Sequence, residues 1–152
     1  WLLGVCFLSD MLDGFLARRL NQVSVLGARL DSFGDILTYA AMILGLHQLW
    51  PSIFSEQAVF LLSATMSFLI PLIFAMSKFG EYPSYHTFGA KIVAVLLAPS
   101  YYILILVDVD IWFRLVVLLY LLVAFEEILI TLVLDAPKTN VKSILSLILD
   151  KS

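Results

Sequence analysis

Between Asp10 and Asp35 the chain reads DMLDGFLARRLNQVSVLGARLDSFGD. The spacing predicts two helices joined by a tight turn. Residues 1–19 form the first, closed by Arg18 and Arg19 in its last turn, where cations suit the negative end of the helix dipole. Asn21 to Ser24 break the pattern, and a second helix runs from about Ser24 to Trp50. So short a connection makes the two helices antiparallel neighbours. Asp10 and Asp13 then share a face at i, i+3, Asp31 and Asp35 share a face at i, i+4, and both pairs meet just inside one membrane interface.

The chain around this stretch has 152 residues, 62% of them hydrophobic and only 14% charged, with mean hydropathy +1.02. That balance excludes a soluble domain. A span needs ~20 apolar residues, so the whole of 1–152 is one polytopic, all-α transmembrane bundle with no room for a second, water-soluble domain. A third helix is expected from Pro51 to about Met76, kinked at Pro71, then a polar loop over 77–87 with Gly80, Pro83 and Ser84. The fourth runs from Phe88 to Val107, Asp108 to Asp110 turn the chain, and the fifth ends near Leu134, stopped by Pro137. In the tail, 138–152, Val141, Ile144, Leu145 and Ile148 fall on one helical face with Lys142 and Lys151 off it. This is the pattern of a short amphipathic helix on the cytoplasmic membrane surface, and equally of a docking surface. Trp1-Leu2-Leu3 opens in the middle of an apolar run, without an initiator Met or a basic leader, and is read as an N-terminal cut.

A net charge of -3 and a pI near 5.2 argue against nucleic acid as a partner. Cys6 is the single cysteine, so neither an intrachain disulfide nor a cysteine metal site is available. Alternating the spans puts Arg18, Arg19, Arg29, Lys78, Lys91, Lys138, Lys142 and Lys151 on one side and Arg114 alone on the other, which makes the first side cytoplasmic. His47, Trp50 and Trp112 read as interfacial anchors.

The acids carry the chemistry. Four carboxylates in one pocket cannot all ionise unaided, and within a membrane each costs several kcal/mol unless paired. Too few cations lie near them. An oxygen-only cluster suits Mg²⁺ or Mn²⁺, and four carboxylates can hold two such ions about 3.5–4 Å apart, the clamp used for in-line phosphoryl displacement. Gly14 follows Asp10 by one turn, Ala17 follows Asp13, and Gly27 precedes Asp31, so the acid faces are lined by small residues with space for a bulky or flat group. The two glycines also suit close helix packing. Arg18 can grip a phosphate in a bidentate way, and Ser24 offers a hydroxyl at a helix start; both suit a nucleotide diphosphate.

Asp10-x-x-Asp13-Gly14-x-x-Ala17-Arg18, eight residues, Gly27, three residues, Asp31, three residues, Asp35 resembles the signature of the CDP-alcohol phosphotransferases, also called CDP-alcohol phosphatidyltransferases, at every specified position. The resemblance implies six-helix, usually dimeric membrane enzymes, of which this chain holds five helices and lacks the first. It implies transfer of a phosphoalcohol (phosphatidyl) group from a CDP-linked lipid to an acceptor alcohol, releasing CMP, with two Mg²⁺ or Mn²⁺ ions. By similarity Asp10, Asp13 and Asp31 hold the ions, while Asp35 touches the second ion and takes the proton of the attacking hydroxyl. Gly14, Arg18, Ser24 and Gly27 contact the cytidine diphosphate, and Ala17 gives clearance. A bacterial plasma-membrane enzyme of phospholipid synthesis, working at the cytoplasmic face as a homodimer, is the resulting expectation.

In Tyr85-His86-Thr87-Phe88-Gly89-Ala90-Lys91, His86 and Lys91 are in reach of a lipid phosphate or the acceptor, with His86 equally a plain loop residue. Glu126 and Glu127 lie inside the last helix, where an acid needs a partner such as Lys91 or Arg29, or a role in binding the acceptor. Two other classes use intramembrane acids. A transporter would place them nearer the midplane, often in repeated halves, and no repeat of the Asp pattern exists here. A membrane prenyltransferase would carry two separated acidic motifs on a longer chain. The topology predicts that a thiol introduced in 77–87 is labelled from the cytoplasmic side only, and thiols near Pro51 and Asp108 from the outside only. Labelling of all three from one side would overturn it.

Overall fold

A computed structural model describes residues 25–80, 85, 87–138 and 141–149, together with Gly4, Val5, Ser9, Leu12 and Arg19; the side chains of 25–33 and 35 are outside the description. Those five early positions are helical, in agreement with a helix over 1–19. The chain divides into two compact units, Trp1–Glu56 and Gln57–Ser152.

In the first unit, α1 spans Val25–Leu49 and α2 spans Pro51–Glu56. Helix α1 has the length to cross a bilayer; Arg29, Asp31 and Asp35 fall in its first three turns, and the uncharged run 36–49 follows. It closes with Trp50 N–H donating to Leu46 O at 2.9 Å. Pro51 lacks an N–H and disfavours helical backbone at Trp50, yet it suits the first position of the next helix. The His47 and Phe54 rings meet edge to face at 4.9 Å, which ties the end of α1 to α2.

The second unit holds α3 (Ala58–Phe79), α4 (Phe88–Val107), α5 (Asp110–Val133) and α6 (Ile144–Leu149). The first three are long and apolar enough to span a membrane, and the described residues contain no strand, so the architecture is the all-α polytopic one expected. The single helix expected from Pro51 to Met76 is instead two. Gln57, with φ -98° and ψ 7°, separates α2 from α3, and its buried amide is engaged with α5. Gly80 ends α3 a turn later than expected: at φ 73° it takes the left-handed cap, and its N–H donates to Met76 O at 2.9 Å. Pro71 and Pro99 lie inside unbroken helices.

Helix α5 is the hub, packed against α3, α4 and α6. The buried side of α3 is Leu61, Ala64, Ser67, Pro71 and Ala75, a mostly small-residue stripe of the kind that lets membrane helices approach closely. Phe113, Val116, Val117, Val123 and Ala124 are buried along α5, and Val93, Tyr101 and Leu104 along α4. The outer faces stay apolar at Val59, Leu62, Ile73, Val95, Leu122 and Phe125, as suits helices whose solvent is lipid. At the start of α5 Arg114 pairs with Asp110 and donates from Nε to Gln57 Oε1 at 3.1 Å, while its guanidinium stands 5.2 Å from the centre of the Phe60 ring. Gln57 Nε2 donates to Asp110 Oδ2 at 3.4 Å, so the group knits α3 to α5 with each charge partnered.

Short of its far end, α5 meets the start of α4 closely. A Cβ added at Gly89 would stand 2.7 Å from Val123 Cγ2, and valine is stiff at χ1. Gly89→Ala should therefore lower stability by about 1–3 kcal/mol, the scale of overpacking. Thermal unfolding of the detergent-solubilised protein measures this, and Val123→Ala in the same chain should restore most of the loss.

Candidate active site

A site for the chemistry expected of the aspartates needs oxygen donors in one place. Asp31 and Asp35 stand one turn apart on the backbone of α1, and Gly27 stands one turn before Asp31 on the same uninterrupted helix. The second pair, Asp10 and Asp13, with Gly14, Ala17, Arg18 and Ser24, lies outside the described residues. Among the described residues no three His, Cys, Asp or Glu side chains converge, a set that does not include the side chains of the four aspartates. Helix α1 thus supplies the register for half of the expected donors.

In the second unit, polar groups gather where α5 ends. Lys78 Nζ donates to Thr131 O at 2.9 Å, Leu132 O at 3.0 Å and Leu134 O at 2.8 Å, filling carbonyls that the last turn of a helix leaves without partners. Lys78, which the sequence offers only as one of the basic residues on a single side of the membrane, is committed to α5 by these bonds. Tyr85 Oη and Thr131 Oγ1 are 2.7 Å apart, and Thr131 Oγ1 also donates to Glu127 O at 2.8 Å. Burial pushes the Tyr85 phenol above its ordinary range, the nearby Glu127 carboxyl adds to the rise, and the bond to Thr131 offsets part of it. Tyr85 therefore stays neutral at physiological pH and serves as a hydrogen-bonded anchor. It packs in one cluster with Ile130, Leu134, Val141 and Leu147.

That cluster shows how the tail sits. Val141 and Leu147 are buried, whereas Leu145 and Ile148 are exposed, so the face expected from a continuous 138–152 helix is split. The reason is length: α6 has six residues, and its rotation is set by contacts at its start. Phe88 N–H donates to Lys142 O at 3.0 Å, and Ile144 N–H donates to Glu126 Oε1 at 3.1 Å. Ser143 and Ser146 cap each other reciprocally, each Oγ accepting from the other's N–H at 3.2 Å. Glu126 is half-buried and is met here by a backbone N–H rather than by Lys91.

Lys91 lies one turn into α4, after the Thr87 cap, whose Oγ1 accepts from Ala90 N–H at 3.1 Å. Its side chain is exposed and lines a shallow, apolar groove of about 340 Å³ with Phe88, Ile92, Val95 and Leu96. His86 lies outside the described residues. Lys78, Tyr85 and Thr131 were not singled out as partners by the sequence, since nothing local links residues some fifty positions apart.

Comparison with known proteins adds to this. Residues 1–134 match the family described as CDP-alcohol phosphatidyltransferase. A cardiolipin synthase (CMP-forming) of Streptomyces coelicolor is 33% identical over 104 residues, which cover 68% of this chain and 47% of that protein. The chain thus spans about half the length of this curated relative. No solved structure matches the chain significantly.

Proposed function

The chain belongs to the CDP-alcohol phosphatidyltransferase family, and from that premise we propose that the protein transfers a phosphatidyl group from a CDP-linked lipid to an acceptor alcohol, releasing CMP. The observation that carries the reading is the complete Asp10-to-Asp35 signature within the matched region, with Asp31 and Asp35 in register on one helix. In the reaction the acceptor oxygen bonds to the phosphatidyl phosphorus, the bond from that phosphorus to the CMP oxygen breaks, and the hydroxyl proton passes to Asp35.

The donor set is all carboxylate, which suits a hard divalent cation. Asp10, Asp13, Asp31 and Asp35 would hold two Mg²⁺ or Mn²⁺ ions. Such ions supply charge neutralisation for the pyrophosphate and the departing CMP. Gly14, Ala17 and Gly27 leave space for the nucleotide, Arg18 grips a phosphate, Ser24 offers its hydroxyl, and Lys91 meets the phosphate of the acceptor or lipid. The lysine and arginine bias supports a site at the cytoplasmic face of the plasma membrane. By family likeness the working unit is a homodimer.

The experiment is to incubate the full-length protein with CDP-diacylglycerol and a panel of alcohols, following CMP release and the mass of the lipid product. The name of the Streptomyces relative makes CMP the readout and puts lipid alcohols into the panel beside soluble ones. Turnover should vanish in excess EDTA and return with Mg²⁺ or Mn²⁺; full activity in chelator would remove the metal role. Asp35→Asn keeps the shape and a weakly ligating oxygen but removes the basic site. It should retain most CDP-lipid binding while transfer falls at least ~10²-fold, the scale of losing a general base. Asp13→Asn should weaken CDP-lipid binding itself. Near-normal turnover of Asp35→Asn across the pH range would leave Asp35 a metal ligand alone.

A further inference from the structure

Glu126 is an acid inside a membrane-length helix, and the transfer chemistry above makes no use of it. Its carboxylate sits at a three-way junction. Oε1 accepts from Ile144 N–H at 3.1 Å, and Oε2 stands 3.6 Å from where a Cβ on Gly89 would be, in the first turn of α4. The segment it holds, 141–149, buries Val141 and Leu147 against Tyr85, Ile130 and Leu134. The same segment presents Lys142 O to Phe88 N–H at 3.0 Å, at the first residue of α4. A free N–H there would be one of the orphan donors of a helix start. The segment lies beyond the residues matched to the family, which end at 134.

We infer that Glu126 is a positioning residue, which fixes the start of α4, and with it Lys91, by holding 141–149 in place. The inference rests on the reading that Lys91 meets a substrate phosphate, and of the acceptor and the lipid named above it commits to the acceptor. Each link is a named contact: Glu126 to Ile144, Lys142 to Phe88, and Phe88 one turn before Lys91. The role needs only a hydrogen-bond acceptor at Oε1, which sets it apart from metal ligation, acid-base work or charge pairing with a substrate. Glutamine keeps that acceptor and alanine does not.

Two readouts separate the parts, each in a Cys6→Ser background of the full-length protein. The first is maleimide labelling of the thiol introduced by Leu147→Cys, at a buried position. Glu126→Ala should speed it about tenfold, as loss of a hydrogen bond to a charged group allows, and Glu126→Gln should leave it near the parent rate. The second, without the Leu147 substitution, is steady-state transfer. Glu126→Ala should raise the acceptor KM about tenfold with kcat within about twofold and the CDP-lipid KM unchanged, and Glu126→Gln should restore it. Deleting 141–149 should raise the acceptor KM to the same degree, and Glu126→Ala should add nothing in the deleted chain, because the residue acts through that segment.

Unchanged labelling in Glu126→Ala would overturn the tie. Faster labelling with an unaltered acceptor KM would overturn the positioning role and leave the functional reading intact. A Glu126→Gln protein with a protected thiol but an alanine-like KM would show the charge acting directly on substrate, and would also overturn it. Absence of CMP release from the wild type would remove the functional reading, and the positioning role with it, while the labelling series still established or refuted the tie.

Discussion

A helix that ends at a membrane boundary leaves its last carbonyls without donors, and within hydrocarbon each such group costs several kcal/mol. The C-terminal end of α5 meets this constraint with one side chain: Lys78 donates to the carbonyls of Thr131, Leu132 and Leu134. Much of the second unit follows. Lys78 belongs to the last turn of α3, so the capping bond also fixes α3 beside α5, and Gly80 then turns the chain away with its left-handed backbone. Tyr85 returns to the same place through Thr131, and the tail closes over both.

The opposite end of α5 is handled by a different device with the same logic. Asp110 and Arg114 neutralise one another one turn apart, and the buried amide of Gln57 bonds to both. An exposed ion pair of this kind contributes little by itself. Its value here is that Asp110 and Arg114 partner one another at this end of α5, and that the start of α3 is locked to the start of α5. Between the two polar ends α3 packs on α5, with Ala64, Ser67 and Ala75 buried on α3 and Phe113, Val116, Val117 and Val123 buried on α5. Helices in lipid associate through such close approach, since lipid tails give them no hydrophobic drive to leave.

How much of this could be read from sequence depended on the range of the interaction. Hydropathy located α4 and α5 within a residue or so, because span length and the breaks at Asp108 and Pro137 are local. The Asp10-to-Asp35 spacing was readable for the same reason, and α1 carries Asp31 and Asp35 in the register expected. The break at Gln57 was missed: the partners that hold its side chain, Asp110 and Arg114, lie on α5 more than fifty residues away, and the local run Ser55-Glu56-Gln57 carries neither Gly nor Pro to mark a break. Lys78 looked like a free cation until its three carbonyl partners were in view. The tail was read by periodicity, yet a helix of six residues has too few turns for periodicity to choose a face. Glu126 and Phe88 hold its start, Val141 and Leu147 turn inward, and Leu145 and Ile148 of the expected face stay exposed.

The position of the acids along α1 also bears on which substrate the proposed reaction can use. Arg29, Asp31 and Asp35 fall in the opening turns, and the apolar stretch starts at the next residue, Ile36, and continues to Leu49. The charged positions of α1 therefore end at Asp35, and its uncharged run begins beside it. A CDP-linked lipid has the same division: a charged nucleotide diphosphate that belongs in water and acyl chains that belong in the bilayer. Placed deeper, the aspartates would strand the diphosphate in a medium that penalises its charge. Placed beyond the interface, they would require the lipid to lift its chains into water, at ~0.8 kcal/mol for each CH₂ exposed. An acidic site built at the junction avoids both costs, and for the reaction proposed above Asp35, the last charged position of α1 before its uncharged run, would be the carboxylate of that helix nearest to the division between the two media.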